Sequence, residues 1–387
     1  MPVPDAQLES APPSHGSGIP QRIPALDGAR GLAVAGVVFA HSLPFSGRGA
    51  VAPIVMGQFA ALGAFGVDLF FVLSGFLITT ILVETAGRPN YFRNFYVRRI
   101  LRLFPLYYIY LLLLMTAVPF VHHLIRTSMP DYHGNWLWYL TYFANWKSNH
   151  AAADPFLGHF WTLAVEEQFY LVWPLAVFLL KPRGRALAYL CGLLILSATV
   201  LRYYLAANHE DWLAIYRLTV TRWDTLAMGA AAALLVRTKQ SASELSGLAR
   251  ILMICGSVGF ATVAWAAGGV SWELPLIQSL GSTTATLFFA GLVLYAAPSR
   301  ERPSPVLSWS PLKALGTYSY CIYVIHLIVF LHMEWLTDWV MRGHSPVGMQ
   351  VIRVGMILIS YAMVFFLAKA SWIYFESPIL RLKARFE

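Results

Sequence analysis

Ten stretches of about 20 mainly apolar residues, the length that crosses a bilayer core as a helix, follow one another along the chain. They are centred near residues 35, 70, 110, 170, 195, 226, 258, 286, 323 and 362. Short polar segments separate them. The pattern predicts an all-α integral membrane protein of about ten transmembrane helices.

Composition agrees. Hydrophobic residues make up 58%, aromatic residues 14% and charged residues only 12%, and the mean hydropathy is +0.59, well outside the range of soluble domains. Residues 1–20, "MPVPDAQLESAPPSHGSGIP", are rich in Pro, Ser and Gly and lack a signal-type apolar core. They are expected to form a disordered cytoplasmic tail ahead of a single transmembrane domain over residues 21–387. Cys191, Cys255 and Cys321 each lie in an apolar run without C-x-x-C spacing, which argues against a disulfide framework and a metal site.

The formal charge is +9, but the basic residues sit in short connecting segments rather than along one amphipathic face, so topology and not nucleic acid explains them. With both termini cytoplasmic, the inner segments hold sets such as Arg88, Arg93, Arg98, Arg99 and Arg102, and Arg381, Lys383 and Arg385, while the outer ones are poor in Arg and Lys. An even helix count satisfies the positive-inside rule at every loop.

Ionisable residues inside spanning segments cost at least about 2.5–3.5 kcal/mol each on insertion scales, so each is a functional candidate. In the first run His41 follows Arg30 by three turns, placing the two on one face about 16 Å apart. The second run, "GVDLFFVLSGFLI", holds Asp68; the fourth holds Glu166 and Glu167, side chains about 100° apart; the sixth starts with Arg222 and Asp224. In the ninth, Ser319, Tyr323 and His326 recur at i, i+4 and i+7, a polar stripe.

"LDGARGLAV" followed by His41, then "GVDLFFVLSGFLI", "VRRILRLFPLYY", "FWTLAVEEQFYLVWP", "RWDTLAMG", "LGTYSYCIYVIH" and "YFESP" occur in that order. Together they resemble the acyltransferase-3 family of integral membrane O-acyltransferases, over about residues 24–380. The resemblance implies transfer of an acyl group, usually acetyl from acetyl-CoA, to a hydroxyl of a glycan or a macrolide. His41 matches the family's essential histidine and Arg30 the basic residue before it. Asp68, Arg99, Arg102, Glu166, Tyr323 and His326 match the remaining motif positions. The usual "LDGLRA" reads "LDGARG" here, which keeps Arg30.

Acyl transfer to an alcohol needs a base for the hydroxyl proton, and imidazole suits that role near neutral pH. His41 is the candidate, with Asp68 or Glu166 expected to face it and fix its tautomer. Arg98, Arg99 and Arg102, with Arg30, are expected to dock the phosphates of acetyl-CoA or propionyl-CoA, because the guanidinium fork matches phosphate. Arg222, Asp224, Tyr323 and His326 are expected on the acceptor side. No metal and no nucleic acid partner are expected; membrane lipid and a small-molecule or glycan acceptor are. A multi-pass transporter would also bury such groups as proton relays, but no inverted repeat is found. The expected location is the bacterial plasma membrane.

Overall fold

The computed structural model describes residues 23–42, 62–124, 136–146, 155–180, 185–238, 241–298, 304–342 and 345–386. The tail predicted over 1–20 lies outside the described residues. The ten apolar stretches coincide with ten helices: α1 (Pro24–Ser42), α2 (Gly66–Thr85), α3 (Tyr91–Met115), α4 (Trp161–Leu180), α5 (Arg185–Ala207), α6 (Thr219–Thr238), α7 (Ala242–Ala267), α8 (Ser282–Ala296), α9 (Ser310–Val340) and α10 (Pro346–Ser371). Short helical turns join several of them, and no strand occurs among the described residues.

Local signals set the ends. Ser241 caps α7 by accepting from the Glu244 amide at 3.2 Å, and Gly268, at φ +76°, closes it. Ser345 caps α10 in the same way, with Pro346 in the first turn.

Eight of the ten, all but α1 and α6, are long and apolar enough to cross a membrane. α1 carries Asp27, Arg30 and His41, and α6 carries Arg222 and Asp224, so these two owe their place to the protein interior. Their crossing, and the side on which each chain end lies, rest on the sequence pattern. The protein is an all-α, multi-pass membrane protein. Lipid-facing stripes agree with this: Leu171, Leu175 and Leu179 on α4, and Val351, Val354 and Leu358 on α10, are exposed.

α1 packs on α9 and α2, α2 on α6 and α4, α6 on α5 and α8, and α9 on α10. The α1–α9 contact is nearly backbone to backbone. A Cβ on Gly31 would lie 2.0 Å from the Leu312 carbonyl oxygen, and one on Gly316 would lie 1.8 Å from that of Asp27. Small residues at such crossings let membrane helices gain dispersion energy where lipid supplies no hydrophobic drive. Gly31 is one of the two positions, with Ala29, where "LDGARG" departs from "LDGLRA", and the close crossing is the physical reason for the glycine. It also fixes the register that brings His41 to α9.

Candidate active site

His41, at the end of α1, meets His326 on α9: His41 Nδ1 and His326 Nε2 are 3.0 Å apart, with ring centroids at 5.0 Å. His326 Nδ1 lies 2.7 Å from the carbonyl oxygen of Tyr323. A carbonyl only accepts, so Nδ1 of His326 carries a proton and donates it. In the neutral pair His326 Nε2 must then accept, and His41 Nδ1–H is its donor. The lone pair of the dyad is thereby placed on Nε2 of His41, the atom a general base uses.

A third imidazole backs the dyad. His159, in the turn Gly158–Phe160 that leads into α4, sets its ring edge-on to His326 at 4.8 Å, with Nε2 3.3 Å from the carbonyl oxygen of Val324. Its Nδ1 is buried without a hydrogen-bond partner among the described residues. The Tyr323 hydroxyl stands 2.6 Å from that of Thr162 and donates to the His159 carbonyl at 3.0 Å.

The expectation that Asp68 or Glu166 faces His41 is corrected. Asp68 accepts from Arg222 Nη2 at 2.7 Å, with both side chains sealed in the core. Four rings, Phe71, Trp161, Tyr216 and Trp272, surround that guanidinium at 5.0–5.8 Å. Asp224 pairs in turn with Arg202 of α5 at 2.7 Å, and Arg202 also donates to the Thr221 carbonyl and to Thr283. Arg222 and Asp224, expected on the acceptor side, are instead fully buried, each neutralised by its own partner, Asp68 and Arg202. Partner choice explains the difference: inside a bilayer an ionised group must find its counter-charge within the bundle.

Glu166 faces a partly open cavity of about 80 Å³. Arg30, Arg99 and Arg102 line it, and it extends to Thr162 and Tyr323. Ser74 donates to Glu166, and the Tyr170 hydroxyl donates to Ser74 at 2.9 Å. Arg99 lies over the rings of Phe95 and Tyr170 at 5.8 and 5.3 Å. Tyr323 belongs to both centres, since its side chain lines the cavity while its carbonyl holds His326. Arg98 is not among the lining residues: its Nε donates to the carbonyl of Phe386 at 2.9 Å, an anchor rather than a cavity wall. Glu376, in "YFESP", accepts from Ser371 at 3.1 Å.

The family model described as "Acyltransferase domain" matches residues 23–373. The chain belongs to the acyltransferase-3 family. Among curated proteins this acyltransferase-3 chain is 30% identical over 373 residues to the "Peptidoglycan O-acetyltransferase OatA" of Listeria monocytogenes, covering 92% of this chain and 56% of the relative. It is 30% identical over 381 residues to the "O-acetyltransferase OatA" of Staphylococcus aureus, covering 93% of this chain and 57% of the relative. The chain thus spans about half the length of the curated relatives it matches. No solved structure matches it.

The sequence pattern missed two polar residues of this acyltransferase-3 site and its surroundings. Arg202 lies in "TVLRYYLAA", an arginine within an apolar run, and the cost argument applied to Asp68 also singles it out. His159 precedes α4 in a short turn, where no periodicity assigns it a face. Among the described residues no group of three or more His, Cys, Asp or Glu is disposed to hold a metal ion. The ring nitrogens of His41 and His326 bond to each other and to a carbonyl rather than converging on one point.

Proposed function

We propose that the chain transfers an acetyl or other short acyl group from acyl-CoA to a glycan hydroxyl, with His41 as general base. The observation that carries this reading is the dyad His41–His326 hung from Tyr323, a residue that also lines the arginine-bearing cavity. Three guanidinium groups suit a polyanionic donor whose phosphates bind in a bidentate manner. The cavity runs from them to Tyr323, whose carbonyl accepts from His326, and on this reading a thioester arm follows it toward the dyad.

In the reaction, Nε2 of His41 takes the proton of the acceptor hydroxyl as its oxygen attacks the thioester carbonyl. The C–S bond then breaks, and the departing thiolate recovers the proton from the imidazolium. His326 acts as a positioning residue. It fixes the tautomer of His41 and shares the positive charge as it develops, a part that a carboxylate plays in other acyl-transfer sites. A glycan acceptor is favoured over a macrolide because the Listeria relative's printed name specifies peptidoglycan.

The test is acceptor-dependent release of CoA thiol by the purified protein in nanodiscs, supplied with acetyl-CoA or propionyl-CoA and with peptidoglycan fragments, other glycans or a macrolide. Thiol release with a glycan, abolished by His41→Ala in a protein that still inserts and folds, is the expected result. Turnover retained in His41→Ala removes His41 from the base role. Release with the macrolide alone would replace the acceptor and leave the donor and base in place.

A further inference from the structure

A segment that runs past the matched family region packs on α3, the helix that carries Arg99 and Arg102. After α10 the chain passes through a π-turn, Trp372–Glu376, and a short helix, Ser377–Arg381, into the turn Leu382–Phe386. That last turn packs on α3. Two arginines of α3 pin it there at Phe386: Arg98 donates to its carbonyl at 2.9 Å, and the Arg93 guanidinium lies 5.7 Å from the centre of its ring. The docking carries Lys383, half-buried, to within electrostatic reach of Arg30, Arg98, Arg99 and Arg102.

Counter-charge in direct contact is scarce there, Glu166, Glu167 and Glu376 acting on Arg99 and Arg102 at longer range. Arg30 pairs with Asp27 at 3.7 Å and Arg98 is spent on a carbonyl. Arg99, Arg102 and Lys383 have neither an ion pair within 4.0 Å nor a hydrogen bond to a carboxylate among the described residues. Glu166 is the acidic group lining the cavity. Like charges gathered in a half-buried place repel, and an arrangement that holds them together is stabilised by whatever anion binds between them.

We propose that Lys383 is a phosphate-binding residue of the donor site, which takes a phosphate of the nucleotide end of acyl-CoA together with Arg99 and Arg102. This rests on the acyl-CoA reading above. An ammonium on a flexible stem suits a phosphate at the open end of the site, and the arginine forks suit those held deeper. The family-matched helices therefore supply the thioester path, and the segment after them supplies part of the grip on the cofactor's distal end.

A phosphoryl group at this place can come from the donor or from an anionic lipid headgroup, and the test separates them. Initial rates are measured for the wild type, Lys383→Ala and Lys383→Arg with acetyl-CoA and with acetyl-pantetheine, which bears the same thioester without phosphate. Nanodiscs are made of phosphatidylcholine alone or with phosphatidylglycerol. Loss of one charge-assisted hydrogen bond predicts a KM for acetyl-CoA raised about tenfold in Lys383→Ala, restored by Lys383→Arg, with the KM for acetyl-pantetheine unmoved in either lipid. A KM for acetyl-CoA unchanged in Lys383→Ala, or raised equally for both thioesters, overturns the proposal. An effect confined to phosphatidylglycerol assigns the lysine to lipid and also overturns it. An Arg99→Ala, Arg102→Ala variant marks the distinction from the underlying reading. If that variant raises the KM for acetyl-CoA and Lys383→Ala does not, only the lysine falls. If the wild type does not prefer acetyl-CoA to acetyl-pantetheine, the donor reading falls with it.

Discussion

Asp68 is the acid that the apolar run "GVDLFFVLSGFLI" makes conspicuous, and the structure gives it a partner that makes a sharp prediction. With its carboxylate 2.7 Å from Arg222 Nη2 and both side chains sealed from solvent, charge centres about 4 Å apart attract by about 4 kcal/mol at an effective dielectric of about 20. Asp68→Leu deletes that attraction and leaves a buried guanidinium. The four rings around Arg222 and its long contact with Ser282 at 3.5 Å offset only part of the loss, so the cost is about 3–5 kcal/mol. Pairing the change with Arg222→Met removes the orphaned charge, and a buried ion pair replaced by apolar groups of similar volume is often neutral or stabilising. The double variant is therefore expected to recover most of what the single one loses. Detergent-solubilised protein heated stepwise and scored by size exclusion should show Asp68→Leu melting several degrees below wild type and the double variant close to wild type. Acetyl transfer measured on the same samples should follow the folded fraction. A double variant that is as stable as wild type yet inactive would refute the structural assignment and return Asp68 to the chemistry.

Substitutions at two further positions address the dyad and the helix crossing beneath it. His326→Ala removes the acceptor of the His41 Nδ1 proton and should cut kcat by about 10²–10⁴ with little change in either KM, while His326→Gln, whose amide oxygen can accept that proton, should restore part of it; equal activity of His326→Ala and wild type would dissolve the dyad. Gly31→Ala puts a methyl group where a carbonyl oxygen lies 2.0 Å away, so α1 must shift from α9 at a cost of about 1–3 kcal/mol; transfer should fall more than stability, because His41 rides on the shifted helix, and an unaltered rate would show that its position is set elsewhere.

Much of the architecture is written in the spacing of apolar runs. Each of the ten stretches falls on a helix, and for the eight that are long and apolar enough to cross a membrane the reason is that a bilayer demands satisfied backbone hydrogen bonds over a fixed length, a constraint that sequence shows directly. The candidate site is legible as far as faces are concerned: Arg30 and His41 on one side of α1, and Ser319, Tyr323 and His326 on one side of α9. Which face meets which is not legible. The partners in His41–His326 are 285 residues apart, and those in Asp68–Arg222 are 154 apart, and helical periodicity carries no information about the neighbour across a gap. The departure at Ala29 and Gly31 looks like a packing detail in sequence, yet Gly31 lies at the crossing that determines the neighbour of α1.

The distribution of formal charge accounts for why a second imidazole, not a carboxylate, stands beside His41. A buried carboxylate there needs a fixed cation of its own, as Asp68 and Asp224 do, and an acid so neutralised has little field left with which to steady a transient imidazolium. A neutral imidazole brings no charge into the bundle. It accepts a hydrogen bond from His41 Nδ1–H, donates its own Nδ1–H to the Tyr323 carbonyl, and, on the general-base reading, is polarised only while His41 holds the substrate's proton. The interior consequently divides into three electrostatic regions. The two Arg–Asp pairs of α2, α5 and α6 sum to zero and hold the bundle. The histidine dyad is neutral at rest. Around the cavity Arg30, Arg99, Arg102 and, nearby, Lys383 gather with the Asp27–Arg30 contact as the one ion pair within 4.0 Å among the described residues, Glu166, Glu167 and Glu376 acting at longer range, so cations without a close partner are in excess there. On the acyl-CoA reading that excess is the part of the site completed by substrate: the donor's phosphates supply the missing charge at one end, and the dyad, beside the shared Tyr323, meets its thioester at the other.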